Sequence, residues 1–266
     1  MDTVVRDPDP TDDPGARAAA FALQVASLTD AGPARDRNED SCAHASDHAT
    51  RALVVVADGV SSYAAGDTAS QMAVSVTMRA YDEQPPTLKT ETRLARAVQQ
   101  ANIEIHDLAM VVPELRGMAT TVTAAAVIEG KLVVAHVGDS RLYLVRRGRA
   151  LQLTKDHTAG KSVLTRSVGR DLIAAIDRIS RPLEQDDVLV ICTDGVYNVL
   201  PDRDIAEIAA SHEPVAACQA LLVAAIARNT SDNITAAVIR MLGPTPNAPT
   251  GIGMASRLRR LLGRPR

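Results

Sequence analysis

The chain has 266 residues, 46% of them hydrophobic and 23% charged, with a formal net charge of −3 at pH 7. This length and apolar content predict one large core and a single main domain. The slightly acidic balance argues against nucleic-acid binding, and one Phe, four Tyr and no Trp argue against stacking platforms for bases or sugars.

The first ordered part of the chain leads into a dense charged cluster. Residues 1–19 are rich in Asp, Pro and Ala without periodicity, which predicts a disordered leader before a domain over residues 20–242. Phe21–Leu28 has strand patterning, and Arg-Asp-Arg-Asn-Glu-Asp follows at 35–40. Most such runs are solvated loops, but two neighbouring strands allow Glu39 and Asp40 to face a carboxylate on the next strand.

That next strand, Arg51–Gly59, runs through Ala-Leu-Val-Val-Val-Ala and ends abruptly on Asp58. The same pattern returns at 187–195, where an apolar segment ends on Asp194 and Gly195. Asp-Gly is also a common hairpin turn, so either copy alone leaves a plain turn and a functional carboxylate open. Gly59 lets a cation or phosphate approach the backbone closely, since it has no Cβ.

The remaining periodicity predicts an α+β protein, because strands follow one another with helices grouped between them. Helical patterning is present at Tyr63–Glu83, Leu88–Met110, Pro201–Ala210 and Val215–Arg228. Strand patterning is present at Thr120–Ile128, Lys131–Val137, Leu142–Val145, Ala150–Leu153, within 174–193, and at Ile234–Met241.

Residues 243–266 are predicted to form a linker and a basic tail, because the composition turns to Gly, Pro, Thr and Asn and the last ten residues carry five arginines and no acid. Met254–Leu262 has the pattern of a short basic amphipathic helix. A solubilising tail and a contact with anionic lipid or an acidic partner are both left open.

Three cysteines without metal-type spacing and the lack of a long apolar run predict a reduced, cytoplasmic protein with no transmembrane segment. Cys192 lies inside an apolar strand. That position is more typical of a core residue than of a nucleophile.

Carboxylates at predicted strand ends form a set without matching His or Cys residues: Glu39, Asp40, Asp58, Asp139, Asp194 and Asp232. Asp232 alone is also compatible with a simple turn. Oxygen-only sets select hard cations such as Mg²⁺ or Mn²⁺, and converging carboxylates repel unless cations neutralise them. A pair of such ions can clamp a phosphate for in-line attack, and Arg35 offers a planar fork for phosphoryl oxygens.

From Leu23 to Met241 the sequence resembles the metal-dependent Ser/Thr protein phosphatases, the PPM or type 2C family. The resemblance rests on an ordered series of short motifs: Arg35-x-x-x-Glu39-Asp40, Val56–Gly59, Gly66-x-x-Ala69-Ser70, Thr120-Thr121, Val137–Arg141, Leu153–Thr158, Leu164–Gly169, Thr193–Gly195 and Ser231–Thr235. Each piece is weak alone, but a chance match of the whole series is very improbable.

The resemblance implies a four-layer sandwich, with two central antiparallel β-sheets flanked by α-helices and two Mn²⁺ or Mg²⁺ ions at one end. By that analogy Asp58 bridges both ions, Asp194 and Asp232 hold one, and Glu39 with the Gly59 carbonyl holds the other.

The family pattern also implies roles around the metals. Arg35 grips the substrate phosphate, and Asp40 orients a metal-bound water. Asp139, together with Asp194, holds a weaker third ion.

Two departures from the family pattern bear on this site. Val60-Ser61-Ser62 stands where bacterial members usually have Met-Gly-Gly and some eukaryotic members place a His general acid, so no general acid is evident. Only Ala159–Val163 separates Thr158 from Leu164, where the family inserts a flap. The chain is therefore identified as a flap-less bacterial member with an open site, whose third ion lacks a flap ligand unless Asp171 reaches back.

The implied function is hydrolysis of phosphoserine and phosphothreonine in proteins by metal-activated water, without a covalent phosphoenzyme. A monomer acting on phosphoproteins is expected, with a cognate Ser/Thr kinase as the partner that the family suggests. The alternative is a catalytically weak regulatory or binding module that docks through the surface the flap leaves. Retention of every core ligand favours the enzyme.

Overall fold

The computed structural model describes residues 21–47, 49–60, 65–160 and 163–244. The predicted leader and the tail beyond residue 244 lie outside the described residues, and so do Ser61 and Ser62. No helix among the described residues is long and apolar enough to cross a membrane.

Strands and helices alternate in groups along the chain. The strands are β1 Phe21–Asp30, β2 Asp40–Ser46, β3 Arg51–Val60, β4 Ala119–Thr120, β5 Val122–Ile128, β6 Lys131–Val137, β7 Arg141–Arg146, β8 Arg149–Gln152, β9 Thr158–Ala159, β10 Val163–Leu164, β11 Asp177–Pro182, β12 Val188–Cys192 and β13 Ile234–Pro244. The helices are α1 Gly66–Glu83, α2 Thr90–Val111, α3 Asp194–Tyr197, α4 Asp202–Ser211 and α5 Pro214–Ala227, with a 3₁₀ turn at Pro113–Leu115.

Two antiparallel sheets form the centre of the molecule. The first has the strand order β1-β13-β12-β7-β8, and the second has the order β11-β6-β5-β3-β2, with β4 pairing β3. Helices α1 and α2 pack on the second sheet, whereas α4 and α5 pack on the first. The predicted α+β class and the four-layer sandwich are therefore confirmed.

Strand β3 explains why its sequence is a continuous apolar run. Leu53 and Val55 pack with the α1 and α2 side chains, while Val54 and Val56 pack against the first sheet with Ile191. Successive side chains of a strand point to opposite faces, and here both faces are buried.

The predicted strand Thr120–Ile128 is split into β4 and β5 at Thr121. The Thr121 N–H donates to the Asp58 carbonyl at 2.8 Å, and Thr121 Oγ1 accepts from the Asp58 N–H at 2.9 Å. Thr121 therefore hydrogen-bonds to the backbone of Asp58 near the end of β3, and the regular pairing of β5 with β3 begins only after it. The first two predicted helices are present, with α1 ending at Glu83 as predicted and α2 running from Thr90 to Val111; Tyr63 and Ala64 lie outside the described residues.

The turn between β6 and β7 is clamped by His157. The Gly138 N–H donates to His157 Nδ1 at 3.1 Å, and the His157 N–H donates to the Gly138 carbonyl at 2.8 Å. Because Nδ1 accepts, the neutral ring carries its proton on Nε2, which lies 3.1 Å from Asp177 Oδ2. Gly138 has φ +111°, and a Cβ there would lie 2.5 Å from Thr121 Cβ. The turn therefore has no room for a side chain at position 138.

His157→Ala should lower the free energy of unfolding by about 1–3 kcal/mol, because the buried Gly138 N–H loses its acceptor. His157→Asn should recover part of that loss, since an Asn Oδ1 can replace Nδ1 as the acceptor. Urea denaturation of both variants measures the difference. Equal destabilisation by Ala and Asn would show that the clamp does not depend on this hydrogen bond.

Candidate active site

The layer between the two sheets turns from apolar to polar at one end. Ala52, Val54 and Val56 belong to the apolar cluster between the sheets, and the two-residue period places Asp58 next on the same face. Asp40 on β2 is the register partner of Asp58 on β3. Two carboxylates therefore lie side by side on neighbouring strands at the end of the sandwich.

Three further aspartates come from both sheets to the same end. Asp139 lies in the turn after β6, Asp194 begins α3 directly after β12, and Asp232 precedes β13. Each lies near enough to Asp58 to raise its pKa by electrostatic repulsion. The structure thus brings together all five aspartates that the sequence singled out.

Burial and mutual repulsion make these carboxylates hard to ionise. Burial is the main cause that raises the pKa of Asp58 well above its usual range, and the neighbouring aspartates add to it. Burial, followed by repulsion from Asp232 and Asp139, raises the pKa of Asp194 to about 6. Burial likewise raises the pKa of Asp139. A positive charge at this end of the sandwich would relieve all of these penalties.

Asp40 is the most enclosed of the five, at 5% exposure. Thr193 Oγ1 donates to Asp40 Oδ2 at 2.8 Å, and the Asp40 N–H donates to Asn38 Oδ1 at 3.1 Å. Burial raises its pKa to about 7, against the opposing effect of hydrogen bonds from Thr235 and Thr193. Asp40 is therefore fixed between the sheets, in a position suited to orienting a small molecule.

Glu39 lies in a close-packed backbone cradle. Its N–H donates to Asn233 Oδ1 at 2.9 Å, and its carbonyl accepts from the Gly59 N–H at 3.0 Å. A Cβ at Gly66 would lie 3.0 Å from Glu39 Cδ, and one at Gly59 would lie 2.2 Å from the Gly66 carbonyl oxygen. The two glycines therefore leave room for the Glu39 carboxylate at the start of α1.

Arg35 is bound to one of the candidate ligands. Its Nη2 donates to Asp232 Oδ2 at 2.9 Å, and its Nε donates to the Ser231 carbonyl at 3.1 Å. The Arg35 side chain is 46% exposed. Two of its three nitrogens are thus held, and the guanidinium remains open to solvent beside the aspartates.

The carboxylates adjoin one another but do not form a closed ligand cage. Within the described ranges, no three His, Cys, Asp or Glu side chains stand in an arrangement ready to hold a metal ion. The donor set nevertheless fits a hard divalent cation, because the donors are oxygens that repel one another and the glycine cradle gives Glu39 access.

The cysteine at the end of β12 is not suited to nucleophilic attack. Cys192 is fully buried, and burial raises the pKa of its thiol far above the ordinary value. The thiol therefore stays protonated, as expected of a core residue.

Sequence reasoning missed the polar residues that position the carboxylates. Thr121 Oγ1 and Ser140 Oγ are 2.7 Å apart and link the end of β3 to the turn that carries Asp139. Asn233 also binds the Ala31 and Arg37 carbonyls, both at 2.8 Å, through Nδ2. These residues belong to the family motifs, but their role in holding the carboxylate-bearing segments depends on hydrogen bonds that only the fold reveals.

Comparison with known proteins gives one family. The Protein phosphatase 2C family matches residues 34–229. The chain is 31% identical over 234 residues to the serine/threonine phosphatase Stp of Listeria monocytogenes, covering 79% of this chain and 93% of that protein. It is 32% identical over 242 residues to the protein phosphatase PhpP of Streptococcus pneumoniae, covering 82% and 98%.

Solved structures agree with this relationship. The Mycobacterium tuberculosis serine/threonine phosphatase PstP/Ppp superposes with a TM-score of 0.75 at 28% identity, covering 84% of this chain and all of that one. The PstP catalytic domain in complex with two manganese ions gives the same TM-score at 29% identity and the same coverage. The chain therefore belongs to the protein phosphatase 2C family of serine/threonine protein phosphatases.

Proposed function

We propose that Asp58, Asp194 and Asp232, together with Glu39 and the Gly59 carbonyl, hold two divalent cations, Mn²⁺ or Mg²⁺, for hydrolysis of phosphoserine and phosphothreonine in proteins. The observation that carries the proposal is the convergence of five aspartates from both sheets at one end of the sandwich. The relative PstP, solved with two manganese ions, supports the same number here.

The proposed division of roles follows from where each residue is held. Asp58 lies near the end of β3 and within electrostatic reach of the other four aspartates, a position from which it would contact both ions. Asp194 and Asp232 come from the first sheet and would hold one ion, and Glu39 in its cradle would hold the other. When bound, such ions supply an activated water and offset the charge of the phosphate.

The chain's own residues orient the reactants around that water. Asp40 is held by hydrogen bonds from Thr193 and Thr235, and its fixed carboxylate would orient the attacking water. Arg35 would direct its guanidinium toward the phosphoryl oxygens, for which a planar fork is well suited. Asp139, with Asp194, would hold a weaker third ion, because the short connection between β9 and β10 brings no further carboxylate.

The family relationship also supports a proposal for the substrates, the partner and the location of the protein. The substrates are phosphoproteins, a cognate Ser/Thr kinase is the expected partner, and the protein acts as a cytoplasmic monomer. Hydrolysis of p-nitrophenyl phosphate and of a phosphothreonine peptide by the full chain, with and without chelator, tests the proposed function.

Asp58→Asn and Asp194→Asn should each lower turnover by at least about 100-fold, because each removes a proposed metal ligand. In excess chelator the same variants should melt at higher temperature than the wild type, since one repelling charge is gone. Steady-state kinetics and thermal melts measure the two effects. Cys192→Ala is the control variant and should retain activity. Loss of its activity with an intact fold would point to a nucleophilic thiol. Full activity of the wild type in excess chelator would refute the metal site.

Arg35→Ala should raise the Michaelis constant more than it lowers turnover, because the arginine contacts phosphate oxygens in both the ground and the transition state. Arg35→Lys should restore only part of the loss, since an ammonium cannot make a bidentate contact. Initial rates over a range of peptide concentrations separate the two parameters. A pure turnover defect would contradict the phosphate-binding role.

Asp139→Ala should remove a low-affinity phase of activation by Mn²⁺ and leave the high-affinity phase in place, because the third ion is proposed to be weakly held. Rates over a wide range of Mn²⁺ concentration, together with calorimetric titration of Mn²⁺, measure both phases. Unchanged activation at every concentration would mean that Asp139 holds no useful ion.

A further inference from the structure

The segment 168–174, here called the strap, runs from the carboxylate site to the surface of α2. The Val168 N–H donates to the Thr120 carbonyl at 2.8 Å, and the Thr120 N–H donates to the Val168 carbonyl at 3.0 Å. Thr120 Oγ1 donates in turn to the Asp58 carbonyl at 2.8 Å. The strap therefore begins beside the central aspartate of the proposed metal site.

Two amide side chains of α2 hold the strap along its length. Asn102 accepts from the Gly169 N–H at 2.8 Å and donates to the carbonyls of Asp171 and Leu172 at 2.8 and 3.1 Å. Gln99 donates to the Leu172 carbonyl and accepts from the Ala174 N–H, both at 3.1 Å.

The strap is also fitted closely at its start. Asn102 is fully buried, so its hydrogen bonds are made in a site of low dielectric, where they are strong. Gly169 has φ +94°, and a Cβ there would lie 2.4 Å from Ile105 Cγ2. The backbone of the strap is thus fixed by α2, and the side chains it presents are held in place.

The strap presents two large aliphatic side chains to solvent, beside the oppositely charged neighbours Arg170 and Asp171. Leu172 is 59% exposed and Ile173 is 77% exposed. Arg170 is exposed as well, and in the part of the chain that the structure describes it has no ion-pair partner. Large aliphatic side chains fixed in water on an ordered backbone are typical of a binding surface.

A second exposed apolar surface lies on the outer face of α5, where Val215 and Val223 are 57% and 65% exposed. Helix α5 packs on β1 and β13, on the opposite side of the sandwich from α2. This face belongs to the helical layer on the first sheet, and its side chains resemble those of the strap in exposed fraction. It therefore serves as a matched control surface.

We propose that the strap is a docking surface for the substrate polypeptide flanking its phosphorylated residue. It selects substrates with an aliphatic residue, which packs on Leu172 and Ile173, and an acidic residue, which pairs with Arg170. The inference rests on the proposed function, since the strap contributes to specificity only if the adjoining site binds the phosphorylated residue. The start of the strap beside Asp58 favours this occupant over a partner unrelated to catalysis.

The test compares three substrates: p-nitrophenyl phosphate, a phosphothreonine peptide with Leu and Glu in both flanks, and the same peptide with Gly and Ser in the flanks. For the double variant L172S/I173S, the ratio of kcat/KM for the Leu-Glu peptide to kcat/KM for p-nitrophenyl phosphate should fall roughly tenfold. The control V215S/V223S, with similarly exposed side chains on α5, should keep the wild-type ratio.

Charge reversal at Arg170 tests the polar half of the surface. Arg170→Glu should lower kcat/KM for the Leu-Glu peptide and raise it for a matched Leu-Lys peptide, because the favourable pair is exchanged for a repulsive one and restored in the second peptide. A ratio unchanged in L172S/I173S, or the same flank preference in Arg170→Glu as in the wild type, would overturn the proposal. An equal loss on p-nitrophenyl phosphate and peptide would also overturn it, since the strap would then support the site instead of docking the substrate.

A binding measurement that needs no catalysis distinguishes the docking proposal from the proposed phosphatase function. Fluorescence anisotropy of the labelled, unphosphorylated Leu-Glu peptide in chelator should give weaker binding to L172S/I173S than to the wild type and to V215S/V223S. If the wild type hydrolysed none of the three substrates, the proposed function would fail, and a difference in anisotropy would still support docking. Equal binding by all three proteins would remove the docking surface while leaving the catalytic proposal intact.

Discussion

Repulsion among aspartates at one end of the sandwich is the constraint on which the rest of the structure depends. Asp58 ends β3 at the centre of the group, and its neighbours on both sheets raise its pKa. The apolar layer between the sheets supplies the opposing force, because Val54, Val56 and Ile191 pack there without exposed surface. The Asp58 N–H donates to Thr121 Oγ1 and Thr193 Oγ1 donates to the Asp40 carboxylate, and these hydrogen bonds fix where the two aspartates lie.

Much of the site could be predicted because several of its carboxylates lie in short sequence patterns that can be recognised without the structure. An apolar run that ends on Asp-Gly marks both Asp58 and Asp194, and the two-residue period of β3 places Asp58 on the face between the two sheets. The class of fold followed from the grouping of strands and helices, and the order of the motifs indicated the family. These features depend on neighbours within a few residues along the chain.

The parts that could not be predicted depend on contacts between distant residues. The split of the strand at Thr121 arises because that residue binds the Asp58 backbone, which is 63 positions away. The clamp of His157 on Gly138 joins residues 19 positions apart, and His157 Nε2 lies 3.1 Å from Asp177 Oδ2, 20 positions away. Likewise, the pairing of Arg35 with Asp232 joins two residues for which the sequence suggested separate roles. No local pattern encodes such partners.

The short β9–β10 hairpin connects the region of the aspartates with the strap. Leu164 pairs with Thr158 across it, and the Thr165 N–H donates to the His157 carbonyl at 2.8 Å, so the chain returns at once to the edge of the site. The strap that follows is held on α2 with Leu172 and Ile173 facing solvent. The chain therefore passes directly from His157, which contacts the turn that carries Asp139, to the strap.

The most direct test of the account is where manganese binds. A crystal of the full chain grown with Mn²⁺, measured at the manganese absorption edge, should show two strong anomalous peaks that share Asp58 as a ligand, with Asp232 turned away from Arg35 toward one of them. Strong peaks elsewhere, or none at Asp58 at a Mn²⁺ concentration that supports full activity, would contradict the claim that these aspartates form the catalytic metal site.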